Sequence, residues 1–182
     1  QEITLPTTPL QHIDDRDGEI ALCILSAINV GTLRNLDQLE ELCDLSVRGL
    51  DALIDFQGYP VKAAELGTIN RRSLGIGYIG LAHYLAKHHV SYDDPKAWEL
   101  VHDLTEAFQY YLLKASNQLA KEQGKCGYFD KTKYADGILP IDTYKKDVDE
   151  ITEVSYQYDW DTLRSDIPVS YTHLRAHETS NH

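Results

Sequence analysis

The sequence contains no methionine and only three cysteines among its 182 residues. Without a methionine, Gln1 is not a natural translation start, so we expect either a processed N-terminus or an internal piece of a longer protein. Cys23, Cys43 and Cys126 have no CxxC spacing, which argues against a zinc site, and their odd number argues against a disulfide framework. This cysteine usage favours a reducing, cytoplasmic location.

The chain also lacks clustered positive charge and long apolar runs. Acidic residues number 29 against 17 basic ones, which gives a net charge of −12. The basic residues are scattered, so we predict no nucleic-acid partner, because binding to a phosphate backbone needs clustered lysine and arginine. No apolar run approaches the ~20 residues that span a bilayer, and the N-terminus lacks the regions of a signal peptide, so no membrane association is predicted.

Apolar periodicity predicts an α/β fold that is mostly helical by residue count, with parallel connections and too few strands for a complete sheet or barrel. Strands are predicted over residues 20–29, as a buried run with both faces covered, and over residues 73–81. Helices are predicted over residues 36–56, 81–89 and 94–123, and another begins near residue 158. Between residues 57 and 72 we predict a connection with at most a short helical turn.

Gly75, Gly77 and Gly80 stand in the sequence GIGYIG, which matches the G-x-G-x-x-G pattern of dinucleotide-binding loops. That function needs a strand before the first glycine and a helix that opens at the last one. The residues before Gly75 are charged and turn-like, and the glycines lie inside a strand-like run. We therefore predict that Gly75 and Gly77 belong to a strand and bind no dinucleotide. A nucleotide-binding α/β domain remains an alternative.

Cys23 lies in the apolar run GEIALCILSAINVG, and this run alone does not decide its role. A free cysteine usually packs as a small apolar residue, so core packing is the first interpretation. Cys43 lies on the apolar stripe of the helix over residues 36–56 and is predicted to be core. Cys126 follows the stop signal Gly124 and is predicted to lie in a loop.

Five stretches of the sequence form a more specific pattern: QEITLPTTPL, GEIALCILSAINVG, RRSLGIGYIGLAHYLAKHH, AFQYYLLKASNQLAKEQGKCGYF and YADGILPIDTYKKDVDE. Together they resemble the large, catalytic subunit of class I ribonucleotide reductase of the aerobic bacterial type. The resemblance covers residues 1–167 almost continuously, and it implies an incomplete part of a ten-stranded α/β barrel. In that family the last glycine of GIGYIG is not fixed, so we interpret Gly80 as accidental.

The resemblance implies reduction of ribonucleoside diphosphates to their 2′-deoxy forms. In the family a thiyl radical abstracts the 3′ hydrogen, a glutamate takes the 3′-hydroxyl proton, and a cysteine pair supplies two electrons as it becomes a disulfide. The radical cysteine stands in Asn-Leu-Cys-x-Glu. By that match Glu2 is the glutamate, and the radical cysteine would immediately precede Gln1. Cys23, in the stretch GEIALC-x-LSA, is by the same match one of the reducing pair, and its partner would lie upstream.

The resemblance implies no cofactor in this chain, because the metal and radical cofactor of the family sits in a small subunit. Sites for ATP and deoxynucleotide effectors are expected outside the matched segment. The implied partners are that radical-generating small subunit, thioredoxin or glutaredoxin as the reductant, and a second large subunit in a homodimer. No acid or histidine cluster in the sequence predicts a metal site. We expect the piece alone to be inactive. The competing hypothesis is a non-catalytic helical interaction module with Cys23 as core filler.

Residues 168–182 differ in character from the rest of the chain. This segment, PVSYTHLRAHETSNH, contains His173, His177 and His182, and it resembles translated sequencing adapter rather than the family. We therefore predict two regions, a barrel fragment over residues 1–167 and a non-native, disordered tail over residues 168–182.

Overall fold

The structure of the protein is a computed structural model that describes residues 5–8, 18–143, 147 and 155–173. Strands and helices alternate along most of this length. In chain order they are β1 Leu5–Thr8, β2 Glu19–Ala21, β3 Ile24–Asn29, α1 Gln38–Phe56, α2 Lys62–Arg71, β4 Leu74–Ile79, α3 Leu81–Lys87, α4 Pro95–Gln123, α5 Pro140–Thr143 and α6 Trp160–His173. Short 3-10 turns occupy Val30–Thr32, Phe129–Lys131 and Lys133–Asp136.

The strands form two small sheets. β1 and β2 pair antiparallel, whereas β3 and β4 pair parallel in a register that runs from Ile24 opposite Leu74 to Asn29 opposite Ile79. Helices α1 and α2 connect the two parallel strands, as a crossover between parallel strands requires. The α/β prediction is therefore confirmed in its coarse form: the described residues are mostly helical, and their parallel sheet is small and open rather than a closed barrel.

The continuous strand predicted over residues 20–29 is wrong, because two residues divide it. Leu22 and Cys23 separate β2, which pairs with β1, from β3, which pairs with β4. The chain must leave one sheet and join another within those two residues. An apolar run carries no signal for such a change of pairing partner, since its residue types suit both sheets equally well.

One face of the parallel sheet packs against helices and the other lies open. The main core joins the packed face to α1, α3 and α4 through Ile28, Leu39, Cys43, Tyr84, Leu85, Leu104, Ala107 and Phe108. Tyr78 of β4 meets Phe108 edge to face, with ring centroids 5.4 Å apart. On the opposite face Leu25 is 55% exposed and Ile79 is 57% exposed. The prediction that both faces of the strand over residues 20–29 are covered is therefore wrong at Leu25.

Capping residues set the ends of the long helix α4. The side chain of Asp94 accepts a hydrogen bond from the backbone N–H of Lys96 at 2.8 Å, and Pro95 occupies the first turn. Gly124 ends the helix with φ +97°. The helix predicted over residues 94–123 is confirmed almost residue for residue.

Helix α2 was not predicted, and small residues explain why. Its buried residues are Ala63, Ala64, Gly67 and Thr68, so it packs closely without a stripe of large apolar side chains. The periodicity that reveals α1 and α4 is weak here. The chain between residues 57 and 72 is therefore a ten-residue helix rather than a connection with a short turn.

Gly67 of α2 lies close against β2, and we predict that a side chain at this position destabilises the protein. A Cβ at this position would lie 2.3 Å from the carbonyl oxygen of Ile20, a backbone atom that moves only with its strand. Gly67→Ala is expected to lower the free energy of unfolding by about 1–3 kcal/mol through overpacking. Urea denaturation of Gly67→Ala and of the unmodified protein measures this difference in the free energy of unfolding.

Gly49 is the matched control, because it is also a glycine within a helix. Among the described residues, no atom outside its immediate surroundings lies within 4 Å of a Cβ built there. Gly49→Ala is therefore expected to stabilise the protein by up to about 1 kcal/mol through helix propensity. Equal unfolding midpoints for the two variants would contradict the steric role of Gly67.

Helix α6 packs on the C-terminal half of α4. Leu163 and Ile167 join a second core with Leu113, Phe129, Leu139 and Trp160, and Asp166 accepts a hydrogen bond from Nδ2 of Asn117 at 2.7 Å. The helix continues through Pro168 to His173, so the first six residues of the predicted tail are helical rather than disordered. Residues 174–182 lie outside the described residues, and the boundary at residue 167 stays a prediction.

Candidate active site around Cys23

Cys23 lies immediately before β3, with a half-buried thiol that is not part of a disulfide. The prediction that Cys23 lies within a strand is wrong by one residue, since β3 begins at Ile24. The next backbone N–H, that of Ile24, already donates to the carbonyl oxygen of Ser73 at 3.2 Å. The thiol therefore lies next to the first residue of β3, between the strand that pairs with β1 and the strand that pairs with β4.

The thiol faces Gly75 of the neighbouring strand, on the open side of the sheet. A Cβ built on Gly75 would lie 3.6 Å from Sγ of Cys23 and 2.4 Å from Cδ2 of Leu25. Cys23 and Leu25 thus share one face, and that face also carries the exposed residues Gly77 and Ile79. A half-buried thiol beside an open sheet face is accessible to a reactant that approaches over that face.

An ion pair between the buried Glu19 and the half-buried Arg71 holds the strand that leads into Cys23. Glu19, at the start of β2, accepts hydrogen bonds from Nη2 and Nε of Arg71 at 3.0 and 3.2 Å. A hydrogen bond to Glu19 also raises the pKa of Tyr128, and Arg71 lies over the Tyr128 ring at 5.2 Å. These contacts tie β2 to the end of α2 and to the loop after α4. The sequence did not reveal this pairing, because Arg71 and Tyr128 are distant from Glu19 along the chain.

The other two cysteines lie in surroundings that disfavour a thiolate. Cys43 is fully buried in the main core, and burial raises its pKa to about 12. Cys126 is half-buried in the loop after α4, and burial raises the pKa of its thiol as well. Both residues occupy the positions predicted for them, one in the core and one in a loop. A raised pKa keeps both as neutral thiols, which are poor nucleophiles.

The glycines of GIGYIG do not form a phosphate-binding loop. Gly75 and Gly77 lie inside β4, as predicted, and the element before them is helix α2 rather than a strand. Gly80 has φ +81°, and a Cβ there would lie 2.3 Å from Oδ1 of Asn29. The positive φ and the close approach of Asn29 both favour glycine at position 80. The interpretation of Gly80 as an accidental glycine did not foresee this structural reason.

Glu2, the second predicted catalytic residue, lies outside the described residues, and its role stays a prediction. The nearest described segment is β1, in which Leu5 pairs with Ala21, two residues before Cys23. In the part of the chain that the structure describes, no group of three or more His, Cys, Asp or Glu side chains is arranged to hold a metal ion. Among the described helices, none is both long and apolar enough to cross a membrane.

Comparison with known proteins identifies the family. The model of the ribonucleotide reductase barrel domain matches residues 1–172. The chain belongs to this ribonucleotide reductase family. The ribonucleoside-diphosphate reductase subunit alpha of Haemophilus influenzae is 63% identical over 166 residues, which cover 91% of this chain and 22% of that relative. The subunit alpha of enterobacteria phage T4 is 43% identical over 170 residues, which cover 92% of this chain and 22% of that relative.

A third relative is ribonucleoside-diphosphate reductase 1 subunit alpha of Escherichia coli K12, which is 60% identical over 114 residues, 63% of this chain and 15% of the relative. The chain thus spans about a fifth, or less, of the curated relatives that it matches. The resemblance drawn from the five sequence stretches is confirmed. In this ribonucleotide reductase segment, the unit β3–α1–α2–β4 supplies two parallel strands of an α/β domain.

Proposed function

We propose that this chain forms part of the catalytic barrel of a ribonucleotide reductase whose whole polypeptide reduces ribonucleoside diphosphates to 2′-deoxyribonucleoside diphosphates. The observation that carries the proposal is the half-buried Cys23 thiol on the open face of the parallel sheet, in a chain of this family. Further strands of a ten-stranded barrel would enclose that face and cover the exposed Leu25 and Ile79.

In this proposal Cys23 is one of two reducing thiols. The 2′ C–O bond of the substrate breaks and its oxygen leaves as water. Cys23 and a second cysteine from elsewhere in the parent chain together give up two protons and two electrons and form an S–S bond. Disulfide formation requires the two Cα atoms to lie about 4.4–6.8 Å apart, which a strand-anchored thiol can satisfy reproducibly. An external dithiol, thioredoxin or glutaredoxin, then reduces the disulfide.

Glu2 is proposed as the general base for the 3′-hydroxyl. A carboxylate within hydrogen-bond reach of a sugar hydroxyl can accept its proton while the 3′ hydrogen is abstracted by a thiyl radical. The radical comes from a metal-containing small subunit, so this chain holds no cofactor in the proposal. Effector nucleotides bind outside the matched segment, the whole alpha subunit forms a homodimer, and the enzyme works in the cytoplasm.

The alternatives find less support. A dinucleotide-binding function would require a glycine-rich turn between a strand and a helix, whereas Gly75 and Gly77 lie in mid-strand after a helix. A helical interaction module does not account for membership of an enzyme family over residues 1–172.

A chimeric alpha subunit tests the proposal. In it, this chain replaces the matching segment of the Haemophilus influenzae relative, with which it is 63% identical. Mixed with the small subunit and thioredoxin, the chimera is expected to convert cytidine diphosphate to its 2′-deoxy form. The same chimera with Glu2→Gln is expected to lose turnover, because an amide cannot accept the proton. An inactive but folded chimera, or full activity with Glu2→Gln, would contradict the assignment.

A further inference from the structure

Gly75 leaves a space beside Cys23 that the side chain of Leu25 fills. A Cβ on Gly75 would come within 2.4 Å of Cδ2 of Leu25, far closer than two carbon atoms can approach, and within 3.6 Å of the Cys23 sulfur. The end of the Leu25 side chain therefore lies over the bare backbone of residue 75. Although Leu25 is 55% exposed, this position next to the thiol is possible only because residue 75 has no side chain.

We propose that Gly75 and Leu25 are positioning residues for the Cys23 thiol, an inference that rests on the proposed redox role of Cys23. The nearest backbone atom to the missing Cβ is the Ile24 carbonyl oxygen at 3.7 Å, an ordinary contact distance. A methyl group at residue 75 would therefore displace the end of Leu25 and leave the strands in place. Because the sulfur adjoins the same space, the displaced leucine changes the room available to the thiol.

Gly77 shows that the crowding around a Cβ is specific to position 75 and is not shared by both glycines of β4. Gly77 lies two residues along the same strand and on the same face. Among the described residues, no atom beyond its immediate neighbours lies within 4 Å of a Cβ built there. Gly77 thus provides a control with the same backbone and the same change of residue, but without the contact to Leu25 and Cys23.

Thiol placement matters because disulfide formation tolerates little error in geometry. The S–S bond is about 2.05 Å long, with a preferred dihedral angle near 90°, so the reducing sulfur must occupy a narrow region when it meets its partner. A displacement of about 1 Å at a reacting group can cost about 100-fold in rate. The sulfur lies 3.6 Å from a Cβ built on Gly75, so a Leu25 end displaced by that Cβ changes the packing beside the reacting atom.

The test uses the chimeric alpha subunit with its small subunit and thioredoxin. Gly75→Ala is expected to lower kcat about tenfold or more and to leave KM for the nucleotide nearly unchanged, whereas Gly77→Ala leaves both unchanged. The double variant Gly75→Ala with Leu25→Ala is expected to recover most of the lost kcat, because the new methyl then takes the place of the leucine end beside the sulfur. Mass spectrometry measures the rate at which iodoacetamide alkylates Cys23. This rate is expected to change in Gly75→Ala and to return towards that of the unmodified chimera in the double variant, in parallel with kcat.

Unfolding midpoints of the variants separate positioning from general destabilisation, since a positioning role changes kcat and the alkylation rate of Cys23 while the midpoint stays near that of the unmodified chimera. Equal kcat values for Gly75→Ala and Gly77→Ala would overturn the inference, as would a double variant no better than Gly75→Ala alone. If Cys23→Ser leaves turnover unchanged, the proposed redox role of Cys23 is contradicted, and the positioning role that rests on it is contradicted as well. If Cys23→Ser abolishes turnover while Gly75→Ala is neutral, only the positioning role fails.

Discussion

Cys23→Ser is expected to abolish sustained deoxyribonucleotide formation by the chimeric alpha subunit. A serine hydroxyl cannot take part in the disulfide whose formation supplies two electrons to the substrate, so no thioredoxin-dependent cycle can be completed. The serine side chain is close in size to that of cysteine, and the thiol lies at the margin of the sheet rather than in its core. We therefore expect the circular dichroism spectrum and the unfolding midpoint to stay near those of the unmodified chimera. Turnover is measured over many cycles with thioredoxin, its reductase and NADPH.

Cys126→Ser is the matched control for this experiment. Cys126 is also half-buried, but it lies in the loop after α4, and burial raises its pKa. Cys126→Ser is expected to retain the turnover of the unmodified chimera. Sustained turnover by Cys23→Ser would return Cys23 to the role of a small apolar residue, and equal loss in both variants would point to a general effect of cysteine replacement.

Glu106→Ala is expected to cause a large loss of stability, although Glu106 lies outside the site. The Glu106 carboxylate is buried in α4, and its residue is only 6% exposed. It accepts hydrogen bonds from the backbone N–H of Gln157 at 3.0 Å, the N–H of Tyr158 at 3.3 Å and the indole N–H of Trp160 at 2.9 Å. Removal leaves three donors without this acceptor. Since hydrogen bonds to a charged group are worth about 1.5–3 kcal/mol each, we expect a loss of about 3–5 kcal/mol in the free energy of unfolding.

A local measurement distinguishes this mechanism from a general loss of packing. Hydrogen exchange at the amides of Gln157 and Tyr158 is expected to accelerate in Glu106→Ala before any other segment responds, because those amides lose their acceptor directly. Glu99→Ala, a change at an exposed position of the same helix, is the control and is expected to leave both amides protected. Unchanged exchange at both amides in Glu106→Ala would refute the role of Glu106 as their anchor.

Helix α4 and the two cysteines outside the site could be predicted because their signals are local. Asp94 and Gly124 mark the ends of α4 through interactions within one helical turn, and the apolar stripe of α1 places Cys43 in the core. Helix α2 escaped prediction because it buries small residues, and the division of β2 from β3 escaped because it depends on which strands are nearby. Interactions between residues close in sequence can be predicted from the sequence, whereas the sheet that a strand joins cannot.

Only some features of the site could likewise be predicted from the sequence. The redox role of Cys23 comes from resemblance to a family, since its apolar surroundings are equally suited to a core residue. The position of Cys23 and Leu25 beside Gly75 could not be predicted, because two helices separate residue 75 from residues 23 and 25 along the chain. Glu106 was missed for a related reason: a glutamate on a helix usually faces water, and its partners belong to a segment that follows α4 and the loop after it.

The parallel pairing of β3 with β4 has a consequence for the order of events during synthesis. A ribosome makes Cys23 and Leu25 before Gly75, which follows about fifty residues later, so the thiol emerges without the strand that will adjoin it. Pairing across two intervening helices is non-local and therefore slow compared with helix formation. In that interval the nascent sulfur is open to oxidants and to other thiols, and the apolar residues of its strand are open to association with other chains. Rapid helix formation by α1 and α2 shortens this exposure, because it brings the newly made β4 back beside the waiting strand.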